Sequence, residues 1–146
     1  MKLEKFLIKQ KYIVIPLFSL PSGHQITEAK INGKKGVFIL DTGASNTCID
    51  ESKVKKFKIK SKKTDHKATG AGTDEIDIRL SKKNKIKIGK WRSNKLALVI
   101  MDLSHINTAL NLFDIEIDGI IGSDILHLGK GIIQYDKDLL YLKSID

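Results

Sequence analysis

Gly36-Val37-Phe38-Ile39-Leu40-Asp41-Thr42-Gly43-Ala44-Ser45 is the stretch on which the reading of the fold turns. Its first half is an apolar, partly β-branched run of strand length, and its second half is a turn of small and hydroxylated residues opened by one acid. A strand that ends this way delivers the Asp41 carboxylate to the rim of a packed core, where water is scarce. Gly43 lets the backbone turn sharply and bring amide hydrogens towards that carboxylate. Thr42 and Ser45 add hydroxyls that can hold it in one orientation. The same residues also suit an Asx-type turn, in which Asp41 satisfies nearby amides and does no chemistry.

Working outward, Asn32-Gly33 separates residues 26–31 from 36–40 and is a strong hairpin signal, because both residues tolerate positive φ. Residues 12–18 read as a first strand whose Pro16 favours an edge or an end, and Pro21-Ser22-Gly23 reads as a turn. Downstream, residues 47–50, 57–59, 76–80 and 86–88 are further short strands, with a turn at 82–85. The apolar run 96–101 suits a central strand, and 132–142 a closing hairpin. One short helix starts at Ser123-Asp124 and ends at Gly129 and Gly131. A second is expected around 104–113, capped by Asp102 or Ser104, with Ile106, Ala109, Leu110 and Phe113 on its apolar face. The class is mostly β. One domain is expected over 12–146, preceded by an N-terminal extension at 1–11.

Composition narrows the function. With 146 residues, 41% apolar and 29% charged, the chain suits one ordered domain. Cys48, the single cysteine, excludes an internal disulfide and a thiolate-rich metal cage, and is expected to pack as a small apolar side chain. His24, His66, His105 and His127 lack ligand spacing, so no metal is expected. Gly70 and Gly72 lack the lysine of a phosphate loop, so no nucleotide or other cofactor is expected. No Gly-x-Ser-x-Gly elbow supports a serine triad. Trp91 suits either a lid over the core or an interface anchor. No stretch is long enough to cross a bilayer and no signal-cleavage site is present; a cytoplasmic location is the default, with export open if a signal has been removed.

The net charge of +9 is accompanied by eight lysines between Lys53 and Lys67, and at 56–60, as at 85–88, lysines alternate with apolar residues. That pattern is expected on half-buried strands whose wet faces are cationic and protect sheet edges. Without zinc spacing, stacking aromatics or a recognition helix, nucleic acid is not an expected partner. Attraction to nucleic acid or to an acidic partner is the lesser alternative for the basic surface, and steering of acidic substrates a smaller one still.

About 80 residues after the first turn, Gly119-Ile120-Ile121-Gly122-Ser123-Asp124 ends a second apolar strand in glycine. A glycine there lets another segment of backbone cross close by; alone, it is equally a strand followed by a capped helix. Taken together, Phe38 to Ser45 resembles the active-site loop of the retropepsin-like aspartic peptidases, and Ile120 to Leu126 resembles their second signature, two hydrophobic residues and a glycine ahead of a helix. The order of elements from residue 12 to 142 is similar too, and closest in layout to cellular and bacterial single-domain members.

The resemblance implies a retropepsin-like acid protease fold and an aspartic endopeptidase, a hydrolase whose working pair of aspartates shares a water. One such loop in a chain of this length implies a homodimer, with Asp41 of each subunit supplying one carboxylate. Two carboxylates pressed together share a proton, so one can accept a proton from water while the other donates to the carbonyl of a peptide or protein substrate. By the same resemblance Thr42 braces the opposite subunit, Gly43 contributes backbone at the catalytic floor, Ser45 bonds the outer oxygen of Asp41, and Ala44 belongs to the supporting loop. Ile120, Ile121, Gly122 and Asp124 form the structural second motif, and Thr69, Gly70, Ala71, Gly72 and Thr73 fall at the flap over substrate. Viral members carry an arginine where this chain has Ser123, which puts the dimer geometry in doubt. The alternative is a peptide-binding or assembly module of the same fold that does not cleave efficiently.

Overall fold

The computed structural model describes residues 2–69 and 75–145. The strands are β1 (Tyr12–Pro16), β2 (Phe18–Ser19), β3 (Gln25–Ile31), β4 (Lys34–Leu40), β5 (Cys48–Asp50), β6 (Lys62–Thr69), β7 (Glu75–Ile88), β8 (Trp91–Met101), β9 (Gly119–Ile121), β10 (Ile132–Gln134) and β11 (Leu139–Lys143). The helices are α1 (Leu3–Lys9), α2 (Ser104–Leu110) and α3 (Ser123–Leu128), and single 3-10 turns lie at Glu51–Lys53, Asn111–Phe113 and Tyr135–Lys137. Strands β3, β4, β9, β5, β8 and β7 follow one another in that order, and β7 returns to β3 to close a barrel. β2 pairs with the start of β3, and β6 extends the wall beyond β7. A separate sheet, β1-β11-β10, is the closing hairpin with the first strand added, and Pro16 sits on its edge strand as expected.

The apolar runs that flank Asp41 and Gly122 in sequence are buried on both faces. Phe38 and Leu40 of β4, Ile121 of β9 and Ile49 of β5 point into the main core with Trp91, Leu98 and Ile100. Ile39, Ile120 and Cys48, from the same three strands, point the other way, against Leu103 and Leu110 beside α2. A strand covered on both sides needs no polar alternation. This is why its sequence is continuous apolar residues, and why it can hold a loop firmly at its end.

The Asn32-Gly33 turn forms as expected, with φ of 51° and 85°. Asn32 also does more than turn the chain. Its amide nitrogen donates to Phe57 O (2.9 Å) and Asn84 Oδ1 (3.0 Å), and its oxygen accepts from the Lys85 N–H (3.0 Å), fastening the hairpin tip to β7 where the barrel closes.

Several local expectations need correction. Residues 56–60 are not a strand: Phe57 and Ile59 are buried and the lysines exposed, but the segment is a series of tight turns in which Lys58 takes a left-handed φ of 52°. Burial alternates there because the chain coils over the core. Residues 82–85 are not a turn either. They are an irregularity inside the continuous β7, where Lys83 has φ 65° and the buried Asn84 amide donates to Ser81 O, Ser81 Oγ and Leu96 O. Those bonds take up carbonyls that the broken ladder leaves unpaired. The run 96–101 is central in position, yet Leu96, Leu98 and Ile100 are buried while Ala97 is exposed. Gly129 ends α3 with an ordinary φ of −88°, and the left-handed residue is Lys130. Glycine is needed at 129 for space, since a Cβ would lie 2.9 Å from the Leu142 side chain. Trp91 is core, 1% exposed, with its indole N–H on Lys143 O.

Helix α2 starts at Ser104 as expected, but its N-cap position is Leu103 and no side chain caps it there; Asp102, one residue earlier, has its Oδ1 accept from the Ser104 N–H at 2.8 Å. Residues 3–9 of the N-terminal extension form α1, docked through the buried Leu7. No described helix is long and apolar enough to cross a membrane.

Candidate active site

β9 lies between β4 and β5, parallel to the first and antiparallel to the second. A chain leaving β4 must therefore pass over the end of β9 to reach β5, and residues 41–47 make that passage. Two bonds fasten it: the Asp41 N–H donates to Ile121 O (2.9 Å) and the Ser123 N–H donates to Ala44 O (2.7 Å). The crossing is too close for a side chain at Gly122, where a Cβ would sit 2.8 Å from Ala44 O and from the Asn46 carbonyl. Gly119, at the other end of β9, has the same constraint, because a Cβ there would collide with Cys48 O. Both glycines of the second motif are spaces for backbone.

The loop rests on a polar floor. Thr47 is fully buried; its hydroxyl donates to Asp124 Oδ1 (2.7 Å) and accepts from the Gly122 N–H (3.2 Å), while its own N–H donates to Asp124 Oδ2 (3.0 Å). Asp124 also accepts from the Ile125 N–H (2.8 Å). One threonine and one aspartate thus join the loop, the glycine crossing and the start of α3.

Above this floor the Asp41 side chain is exposed, and its Oδ1 accepts from the Gly43 N–H at 2.9 Å. Thr42, Gly43 and Ser45 are exposed and Ala44 is half-buried. Within the described residues, neither the Thr42 nor the Ser45 hydroxyl makes a hydrogen bond, so the expected bond from Ser45 to Asp41 is not formed in this single chain. Cys48, next to the loop, has its thiol pushed up to about 11, first by burial and then by the negative charges of Asp124 and Asp41. It stays protonated near neutral pH and packs as an apolar group. Among the described residues no cluster of His, Cys, Asp or Glu could hold a metal ion.

Asp41 and Thr42 face a cleft of about 310 Å³ whose walls include Ile39, Leu40, Ile106 and Ile120, with His24, Gln25 and Tyr135 as the polar lining. His24, Ile106 and Tyr135 were not foreseen as cleft residues. A signal for His24 exists in the hairpin. The two-residue turn sets Ile31 opposite Lys34 and Gln25 opposite Leu40, so one further step brings His24 across from Asp41. Thr47 was also missed; a buried threonine looks like any β-branched strand residue until its partner, 77 positions away, is known.

Other acids have structural surroundings. Asp50 is buried and accepts from the N–H groups of Leu103 (2.7 Å) and Ser52 (3.2 Å) and from the Ser52 hydroxyl. Asp118 is buried with Lys56 at 3.0 Å and the Val37 N–H at 2.9 Å. Of the expected flap residues, Thr69 ends β6, and Gly70, Ala71, Gly72 and Thr73 lie outside the described residues.

A barrel with a strand threaded between the arms of an acidic loop defines a class. The fold is shared with a retropepsin-like aspartic protease from Rickettsia conorii, at 24% identity and TM-score 0.60 over 91% of this chain and 90% of that one. It is also shared with EIAV protease in complex with the inhibitor HBY-793, at 19% identity and TM-score 0.55 over 80% of this chain and 99% of that one. Comparison with curated proteins gave no match. The aspartyl protease family model matches residues 27–125, which include Asp41, Thr47 and the whole Gly119–Asp124 motif. The chain belongs to the aspartyl protease family.

Proposed function

We propose that the protein is an aspartic endopeptidase that works as a homodimer, in which Asp41 of two subunits activates one water between them. The observation that carries this reading is the exposed Asp41 carboxylate. It stands on a loop fastened from below, at the edge of a cleft with both apolar and polar walls, and among the described residues one side of the carboxylate is unbonded. These 146 residues carry one loop of this kind, and a second copy would supply the other carboxylate.

The chemistry then follows from charge. Two carboxylates in contact hold one proton between them; the ionised member takes a proton from water, and the other donates to the carbonyl oxygen as water attacks. No acyl-enzyme forms, and the buried, protonated Cys48 stays outside the reaction. Thr42, exposed and without a hydrogen bond among the described residues, would brace the two copies. Apolar walls at Ile39, Ile106 and Ile120 favour apolar substrate side chains, and a strand-like substrate suits a cleft between strands.

The test is cleavage of a diverse peptide mixture by wild type and Asp41→Asn at high protein concentration, across about pH 4 to 7. Cleavage by the wild type alone, with a rate that rises faster than linearly in protein concentration where dimer is scarce, is the expected result. Folded, dimeric wild-type protein that cleaves nothing would instead favour a peptide-binding or assembly module.

A further inference from the structure

On the barrel wall, four cations stand in register on four successive strands. Lys35 of β4 faces Lys30 of β3, Lys30 faces Lys87 of β7, and Lys87 faces Arg92 of β8. All four are exposed, while their neighbours in the chain, Ala29, Ile31, Ile86, Ile88 and Trp91, are buried. Adjacent strands are about 4.8 Å apart, so the row is roughly 14 Å long. Like charges directly opposite one another destabilise a sheet. Edge protection does not explain the inner two, because Lys30 and Lys87 each have a paired strand on both sides. Among the described residues the ion pairs are made by Lys53 and Lys56, and none involves Lys30, Lys35 or Lys87. Like charges set face to face are a local conflict with the fold, and such conflicts are where function is expected.

Two dips of about 200 and 180 Å³ flank the row, and Lys30 and Lys87 line both. Lys35 and Glu28 complete the first, and Lys85, Arg92 and Asn94 the second. We propose that this row is a docking site for an acidic polypeptide segment. Of the residues lining the two dips, none is aromatic, and the one large apolar residue, Ile86, is buried. The row therefore offers neither a stacking platform for bases nor an apolar wedge for a bilayer. What it offers is ammonium groups on flexible stems with an amide at Asn94 beside them, which suits carboxylates repeating about every 7 Å along one face of an extended chain. The row and the cleft also share strands. From Lys30 to Gln25 along β3, or Lys35 to Asp41 along β4, is roughly 17–20 Å, so one extended substrate can reach both. This last step rests on the peptidase reading, whereas the docking itself does not.

The experiment is fluorescence anisotropy with a labelled Glu-rich decapeptide, a neutral decapeptide and a single-stranded DNA of ten nucleotides, at low and physiological salt. The proteins are wild type, Lys30→Gln/Lys87→Gln, and Lys5→Gln/Lys9→Gln on α1 as an equal change of net charge. The expected result is salt-sensitive binding of the acidic peptide that the barrel-wall variant weakens about tenfold and the α1 variant leaves within about twofold. Removing the like-charge contacts should leave the barrel-wall variant at least as heat-stable as wild type, which separates lost docking from lost folding. Equal weakening by both variants, absence of acidic-peptide binding, or tighter binding of the DNA would each overturn the proposal. Cleavage of the neutral peptide is assayed in parallel: failure there counts against the peptidase reading and leaves the docking result standing.

Discussion

The two ends of the β3–β4 hairpin are built by different means. At the closed end, Asn32 and Gly33 are neighbours that set their own backbone angles, and everything needed to form the turn lies within two residues. At the open end, the Asp41 loop keeps its shape through groups far away in the chain: Ile121 and Ser123 hold its backbone, and Thr47 binds Asp124 beneath it. A turn made locally tolerates surface change around it. A loop made by a crossing depends on every atom at the crossing, and substitutions at the two ends should separate these behaviours.

The largest effect is expected for Asp41→Asn. Peptide cleavage should fall by about 10²-fold or more, while the unfolding midpoint in urea stays near that of wild type, because the exposed amide oxygen can still accept from Gly43. Gly122→Ala comes next and should damage both properties. Its Cβ meets backbone at 2.8 Å on the underside of the loop, so a stability loss of about 1–3 kcal/mol should accompany loss of cleavage, measured by denaturation and by the peptide assay. A Gly122→Ala variant as stable as the parent would mean that the crossing is looser than described.

Thr47→Val removes a buried hydroxyl, leaving the Gly122 N–H without its acceptor and Asp124 without one of its donors. A loss of about 2–3 kcal/mol is expected, with Thr47→Ser recovering most of it in the same denaturation assay. At the closed end, Asn32→Gly keeps the turn, since glycine accepts the same φ, but removes the side-chain bonds to Phe57, Asn84 and Lys85. Its loss should be about 1–2 kcal/mol, with cleavage per folded molecule unchanged. The smallest effect belongs to α2, which covers the outer face of the open end. Asp102 is held below the usual carboxylate range, mainly by the Ser104 N–H and then by the Ser104 hydroxyl. A depressed folded-state value means stability that is present above the ordinary carboxylate range and lost as pH falls through the folded value. Asp102→Ala should therefore lower the melting temperature slightly at neutral pH, and the gap to wild type should close as pH falls below the ordinary carboxylate range and through the folded-state value.

How much of this could be read beforehand varies with the range of the interaction. Most strand positions, the Asn32-Gly33 turn, helices α2 and α3 and the two motifs were legible, because each depends on local periodicity or on a glycine in a telling place, whereas α1 and β6 were not foreseen. Residues 56–60 misled because alternation of lysine and apolar residues reports alternating burial, and coiled turns over a core produce it as readily as a strand. Residues 82–85 misled because a polar lysine-rich stretch looks like a turn until Asn84 is seen facing inward. In the candidate site, Asp41 and Gly122 were legible as motifs, whereas Thr47 and Tyr135 were not, since neither carries a mark of its partners.

The sequence by itself determined the hairpin register, and with it that Lys30 faces Lys35 and that His24 comes opposite Asp41. It determined this because a two-residue turn with positive φ at both positions permits one pairing only. Only the tertiary structure decided that β7 closes onto β3, which sets Lys87 beside Lys30, and that β9 threads between β4 and β5, which puts Gly122 under the Asp41 loop. Those pairings join segments more than 50 residues apart. They are chosen by the joint packing of both faces of the central strands, which no single segment encodes.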